Sequence, residues 1–354
     1  MKFWKFVPVL MIVGIALMAC GNPSTPAGKK IALLLPEATT ARYDTKDMPF
    51  FKAKLAALCS SCTLIYSNAK QDAPTQQTQA DAAITNGANV IVLDPVDGAA
   101  AAAIVTKAKA KNIPVISYDR LILNTPDLNY YLSFDNAAVG ALQGNALLAA
   151  LAGKTMPQIV QINGDPADNN AKLFKQGAHS VLDGKVKYGK EYDTPGWKPD
   201  NAQTEMQGAL TALGNKVDGV LAANDGTAGG AIAAMKTAGL KPLPPITGQD
   251  AELAAIQRIL AGEQTMTVYK AIKAEAEAAA TLAYDLAYGI TVPSTMTNGK
   301  TVNNGKADIS SVLLTPVAVN KANIASTVVA DGFWTKADIC TAAYAAACTA
   351  AGIS

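Results

Sequence analysis

The chain has 354 residues, with 30 basic and 28 acidic side chains, and half of it is hydrophobic but only 6% aromatic. Lys2 and Lys5 are the only charges in the first 19 residues, so the remainder balances at 28 against 28, which argues against general nucleic-acid binding, since that leans on a basic surface. The length exceeds what one hydrophobic core organises and suits two domains, and an Ala-rich, aromatic-poor composition suits α/β units with closely packed helices, not disorder.

In chain order, Lys2 and Lys5 precede an apolar run from Phe6 to Met18, the order and length of a secretory signal and short for a membrane span. The run meets Leu17-Met18-Ala19-Cys20, which resembles the bacterial lipoprotein cleavage box. Residues 1–19 are therefore expected to be a signal peptide and Cys20 the lipidated first residue of the mature chain. An uncleaved anchor with an incidental Cys is the alternative. Residues 20–29, mostly Gly, Pro, Ser and Thr, then form a flexible tether.

Beyond the tether, strand-like and helix-like segments alternate. Ile31–Leu35, Leu64–Ser67, Val90–Asp94 and Val115–Tyr118 are short apolar runs of the kind buried on both faces of a parallel sheet. Phe50–Leu58, Gln76–Ile84 and Ala99–Lys111 between them have helical spacing. A second series follows Asp135: helix Val139–Leu151, strand Ile159–Ile162, helix Ala171–Leu182, strand Val217–Ala223 and helix Ala271–Tyr288, then a tail with a short helix over 337–347. The rhythm predicts two doubly wound, Rossmann-like α/β lobes with parallel sheets and a cleft between them. Cys59 and Cys62, and Cys340 and Cys348, form two local pairs, which outside the cytoplasm favours structural disulfides. Cys59-Ser60-Ser61-Cys62 also has the spacing of a redox pair or half a zinc site, but no second Cys or His cluster completes a metal shell. His179, the single histidine, reads as structural, and no cofactor is expected.

Polar residues recur where strands end. PVISYDR delivers Asp119 and Arg120, YYLSF leads to Asp135-Asn136, GVLAA to Asn224-Asp225, PPITG to Gln249-Asp250, and TMTVY to Lys270. Open α/β sheets bind ligands outside the carboxyl ends of their strands, so this recurrence points to a polar ligand. Any one pair could equally be a strand-end salt bridge.

YDR at Tyr118–Arg120, SFDN at Ser133–Asn136, DNNAKLF at Asp168–Phe174, ND-TAGGA from Asn224, GQDAEL from Gly248 and QTMTVYK ending at Lys270 occur in one order. Together they make the chain resemble the periplasmic sugar-binding proteins of bacterial ABC importers, and within them the D-xylose-binding branch. The resemblance implies two lobes joined by three crossover segments, residues 30–134 plus 270–310 and residues 135–269 plus 311–354. It implies a monosaccharide ligand, D-xylose or a similar aldose, held by a monomer, with an ABC permease and a separate ATPase as partners. No Walker-type GxxxxGK[ST] run is present to make the chain its own ATPase. Carried over by position, the implied ligand residues are Arg42, Tyr43, Asp119 and Arg120 from the first lobe. Asp168, Asn170, Trp197, Asn224 and Asp250 come from the second, and Lys270 stands at a crossover. Tyr43 stands where the family carries Trp, and LLLPEATT departs from the usual first strand. Asn136 and Asn169 are read as helix caps.

These residue types suit a sugar independently of the resemblance. Each hydroxyl donates and accepts, carboxylates accept, and Arg and Lys donate back. The rival readings are a glycoside hydrolase using Asp119 and Asp250 as its carboxylate pair, and a sugar sensor without a transport role.

Overall fold

The computed structural model describes Met1 and residues 28–353, so the expected signal peptide and the lipidation at Cys20 lie outside the described residues. Five strands come first: β1 (Lys30–Leu35), β2 (Thr63–Asn68), β3 (Val90–Leu93), β4 (Val115–Tyr118) and β5 (Tyr130–Phe134). Then follow β6 (Gln158–Asn163), β7 (Lys187–Asp193), β8 (Gly219–Ala222), β9 (Thr267–Tyr269), β10 (Thr301–Asn303), β11 (Asp308–Leu314) and β12 (Val317–Val319). The first sheet runs β10-β11-β5-β4-β3-β1-β2 and is parallel except for the β10–β11 edge. The second has parallel β7-β6-β8, with bridges Val220–Ile246 and Gln249–Val268 leading towards β9, which pairs antiparallel with β12.

The apolar runs are continuous because both faces of the first sheet are covered. Ile31, Leu33 and Leu35 face helices Met48–Leu58 and Ile272–Tyr288, while Ala32 and Leu34 face helices Ala73–Thr85 and Ala102–Lys109. That is the period of two along a strand. Burying each Ile or Leu stabilises the fold by about 1.5–3 kcal/mol.

Several elements have no counterpart in the sequence reading, among them β7, β10 and helices Pro199–Leu213, Asp225–Thr237 and Leu253–Ala261. β7, KYGKEYD, is an edge strand with no fully buried residue, so no apolar run announces it. The expected tail helix is two short ones, Lys336–Ile339 and Ala345–Ala350.

The chain passes between sheets after β5, after β9 and after β11. The lobe exchange expected between residues 310 and 311 falls inside β11, whose Ser311–Leu314 pair with Tyr131–Phe134 of the first sheet. Val312 and Leu314 pack in that lobe's core, so it keeps the chain as far as Leu314. After the first passage, helix Asn136–Ala150 lies directly on helix Asn169–Leu182. A Cβ on Gly140 would come within 1.9 Å of the Phe174 carbonyl oxygen, and one on Gly177 within 2.0 Å of that of Ala137. Backbone meets backbone there, and the contact seats the helix that carries Asn170.

Cys59 is paired with Cys62, Cα atoms 5.3 Å apart, and Cys340 with Cys348, 5.9 Å apart. Cys59 caps the carboxyl end of helix Met48–Leu58, where the helix dipole disfavours a thiolate, which argues against the redox alternative. Among the described residues no helix is long and apolar enough to cross a membrane, and no group of His, Cys, Asp and Glu is placed to hold a metal.

Candidate functional site

All ten residues carried over from the sequence line one cavity between the lobes, with about 270 Å³ of space unfilled by protein atoms. Thr40, Phe174 and Gln249 complete its wall. They converge because each stands just beyond a strand's carboxyl end or at the first turn of the following helix.

Arg42 is 4% exposed, and its guanidinium is fixed from behind. Nε and Nη2 donate to the Asp47 carboxylate at 3.0 and 2.7 Å, and Nη2 also reaches Glu275 Oε2 at 3.0 Å. Nη1 is left facing Asp119 Oδ2 at 3.3 Å and Asp250 Oδ1 at 3.8 Å. Arg120 is held likewise, with Nε 3.0 Å from Asp168 Oδ2 and 3.7 Å from Asp94, and Nη2 3.6 Å from Glu37. Burial pushes the Asp94 and Glu275 carboxyls up, with Arg120 pulling back on Asp94 and Asp119 adding to the rise at Glu275. Asp47, Glu275, Asp94 and Glu37 were missed by sequence reasoning. Glu37 left a trace there as the acid in the departing LLLPEATT, and Asp94 as the end of the run Val90–Asp94.

Tyr43 lies between the two guanidiniums, its ring centre 5.0 Å from Arg42 and 5.7 Å from Arg120. Its hydroxyl donates to Asp119 Oδ2 at 3.1 Å and accepts from Arg120 Nη2 at 3.3 Å, a bridge that a Trp in its place could not make. Asp119 and Asp250 both have left-handed backbones, φ 53° and 94°, a strain of about 1 kcal/mol or more that is typical of ligand-clamping positions. The Asp119 carbonyl oxygen accepts from Ser133 Oγ (2.7 Å) and, across the cleft, from Asn170 Nδ2 (3.0 Å). Burial would raise the Asp119 carboxyl, but Arg42, Lys270 and Arg120 outweigh it and hold it below the usual carboxylate range. Lys270 Nζ lies 3.4 Å from both Asp119 and Asp250.

From the second lobe, Asp168 rather than Asn169 caps helix Asn169–Leu182, its Oδ1 accepting from the Asn170 amide at 2.8 Å. Its Oδ2 takes Arg120 and the Trp197 indole Nε1–H at 3.2 Å. Asn136 is not the cap of its helix; Asp135 is. Asn136 instead donates to Asn170 Oδ1 at 2.9 Å and so orients it. Asn224 caps helix Asp225–Thr237 with its side-chain oxygen, which leaves its NH₂ to offer a ligand. Trp197, at φ 56°, meets Phe174 edge-on at 6.4 Å.

The wall thus sets three cations, Arg42, Arg120 and Lys270, against three carboxylates, Asp119, Asp168 and Asp250. With Asp47, Glu275, Asp94 and Glu37 behind the arginines, the ring has no excess of positive charge to attract an anion, and it offers donors and acceptors on all sides.

Residues 31–291 match the periplasmic binding protein domain. The chain is 41% identical to the D-xylose-binding periplasmic protein of Escherichia coli (strain K12), over 95% of this chain and 100% of that one. It is 34% identical to the multiple sugar-binding periplasmic receptor ChvE of Rhizobium radiobacter, over 92% and 96%. Among solved structures, an ABC transporter solute binding protein from Clostridium phytofermentans with bound β-D-glucose superposes with a TM-score of 0.80 at 30% identity, covering 88% of this chain and 100% of that one. With the domain match spanning most of its length and a relative this similar end to end, the chain belongs to the periplasmic binding protein family, in its type I fold.

Proposed function

We propose that the protein is the extracytoplasmic binding component of an ABC sugar importer. It captures a monosaccharide, D-xylose first among them, between its lobes and hands it to a permease driven by a separate ATPase. The observation that carries this reading is the charge-balanced ring of three cations and three carboxylates drawn from both lobes, which suits a neutral polyol better than a sugar acid or phosphate. Two relatives named for D-xylose, at 41% and 38% identity, support the choice of sugar. On the same reading the protein is a monomer, tethered to the membrane through a lipid on Cys20. It binds and does not cleave. Its relatives are named as binding proteins, and Asp119, held ionised by its cations, could not be the acid of a glycosidase pair.

A second reading has an observation of its own. The relative named as a multiple sugar-binding receptor, and the solved structure with glucose, favour a broader aldose specificity and a role in sensing. Thermal-shift measurements against pentoses and hexoses separate the two. A ligand at one hundred times its Kd stabilises the folded state by about 2.7 kcal/mol, a shift of several degrees. A larger shift with D-xylose than with D-glucose supports the first reading, and equal shifts the second. No shift with any monosaccharide removes both.

A further inference from the structure

Several of the hydrogen bonds that join the lobes lie outside the cavity, among them Lys46 Nζ to Phe333 O at 2.5 Å, Gly98 N to Ala167 O at 3.4 Å, and one made by Gln71. Gln71, in the turn after β2, donates from Nε2 to Asp165 Oδ2, just beyond β6, at 2.7 Å. Neither residue lines the cavity. Lys70 and Gln71 both hold left-handed backbones, φ 51° and 64°, an arrangement that successive non-glycine residues adopt only under constraint. The constraint is visible: Gln71 N donates to Pro36 O at 2.7 Å, and Lys70 N to Asn68 Oδ1 at 2.9 Å. The strained turn presents the Gln71 amide to the opposite lobe.

Asp165 is 7% exposed, and its carboxylate collects three donors. Oδ1 accepts from the Ala167 amide at 2.9 Å, and Oδ2 from Gln71 and from the Gly196 amide at 2.9 Å. Gly196 immediately precedes Trp197. The indole is fitted against the same loop, its Cη2 only 1.9 Å from where a Cβ on Gly164 would stand, and Trp197 N donates to Thr194 O at 3.1 Å. Asp165 therefore holds the backbone of the turn whose next residue is the aromatic wall of the cavity.

We infer that Gln71 and Asp165 form a latch between the lobes, in which Asp165 is a positioning residue that couples lobe closure to the placement of Trp197. The inference rests on the proposed sugar-binding reading and deepens it. Gln71 belongs to the first lobe and Asp165 to the second, so the bond exists only when they are closed, and a contact made in one state alone shifts the equilibrium towards that state. A carboxylate acceptor makes it one of the stronger hydrogen bonds. Capture by the open form does not involve the latch, whereas release must break it. The latch touches no ligand, so it prolongs binding without choosing among sugars.

Stopped-flow tryptophan fluorescence on the full protein, with D-xylose and D-glucose as probes, tests this. Gln71→Ala should raise the dissociation rate about tenfold, leave the association rate unchanged, and keep the order of preference between the two sugars. Asp165→Ala should release at least as fast, and the double variant no faster than Asp165→Ala alone, because Gln71 acts through Asp165. Release of sugar from Gln71→Ala at the wild-type rate overturns the latch, as do fully additive effects. Failure of the wild type to bind any sugar would count against the proposed function instead. Hydrogen exchange at the Gly196 amide then decides the positioning role without a ligand: exchange about tenfold faster in Asp165→Ala supports it, and an unchanged rate overturns it.

Discussion

Asp250 Oδ1 lies 3.4 Å from Lys270 Nζ, within reach of its charge, yet no hydrogen-bond donor in the described residues is aimed at that buried oxygen. Arg42 Nη1 stands on its other side at 3.8 Å. An acceptor flanked by two cations with no donor of its own is ready for a ligand hydroxyl.

Asp250→Ala should therefore leave the fold intact, since Arg42 and Lys270 both keep Asp119 as a partner, and weaken sugar binding by roughly 2–5 kcal/mol, because it removes a buried acceptor for the ligand hydroxyl. Calorimetry measures the loss, and unchanged affinity would take Asp250 out of the site. Small-angle scattering of the wild type with and without sugar tests closure in parallel, since binding groups divided between the lobes are all engaged only when the lobes meet. The radius of gyration should fall on saturation.

Tyr43→Phe keeps the ring between the guanidiniums and deletes only the hydroxyl that bridges Asp119 and Arg120. We expect a loss of about 1–2 kcal/mol in sugar affinity, the worth of hydrogen bonds to charged partners. Stacking alone would make the variant equal to wild type in a titration, and that result would reject the bridge.

Asp225 gives the stability a pH dependence. Burial pushes its carboxyl up to about 7 against the pull of Arg258, while Gln264, Thr267 and the Glu252 amide donate to it. In the unfolded chain the group releases its proton near pH 4, so between there and about pH 7 the folded state holds the extra proton and stability falls as pH rises. The urea midpoint should be higher at pH 5 than at pH 8, by the equivalent of about 1–3 kcal/mol or more, and Asp225→Asn should reduce that slope, leaving the part owed to the neighbouring Glu252, which burial pushes up to about 8. An equal slope in wild type and Asp225→Asn would show that Asp225 is ionised throughout.

Cys340 and Cys348 bound a loop that fastens the last helix to the core, where Cys348 is 2% exposed. In protein recovered from an oxidising compartment, mass spectrometry should find this pair and Cys59–Cys62 oxidised. Cys340→Ser should lower stability by about 2 kcal/mol, the entropy of closing so short a loop. Free thiols at all four positions would rule out the structural role.

Asp119, Arg120, Asn224, Asp250 and Lys270 were legible at the cavity as polar residues at strand ends, which a parallel sheet brings together, whereas Arg42, Tyr43, Asp168, Asn170 and Trp197 were reached only through the family resemblance. The same locality made β1, β3 and β4 readable as apolar runs, and left β7 unread because an edge strand buries no continuous face. Four things were decided only by tertiary structure. Of the carboxylates behind the arginines, Asp47 is local to Arg42, but Glu275 is 233 residues from it, and no spacing rule links them. Cap assignments at Asp168 and Asn136 turned on single hydrogen bonds that neighbouring Asn and Asp residues compete for equally well in sequence. The membership of β11 in the first sheet, and the contact of Gln71 with Asp165 across 94 residues, follow from how the lobes dock. Local chemistry determines which groups stand at a strand's end, but their orientation and pairing are set by whatever the completed fold packs behind them.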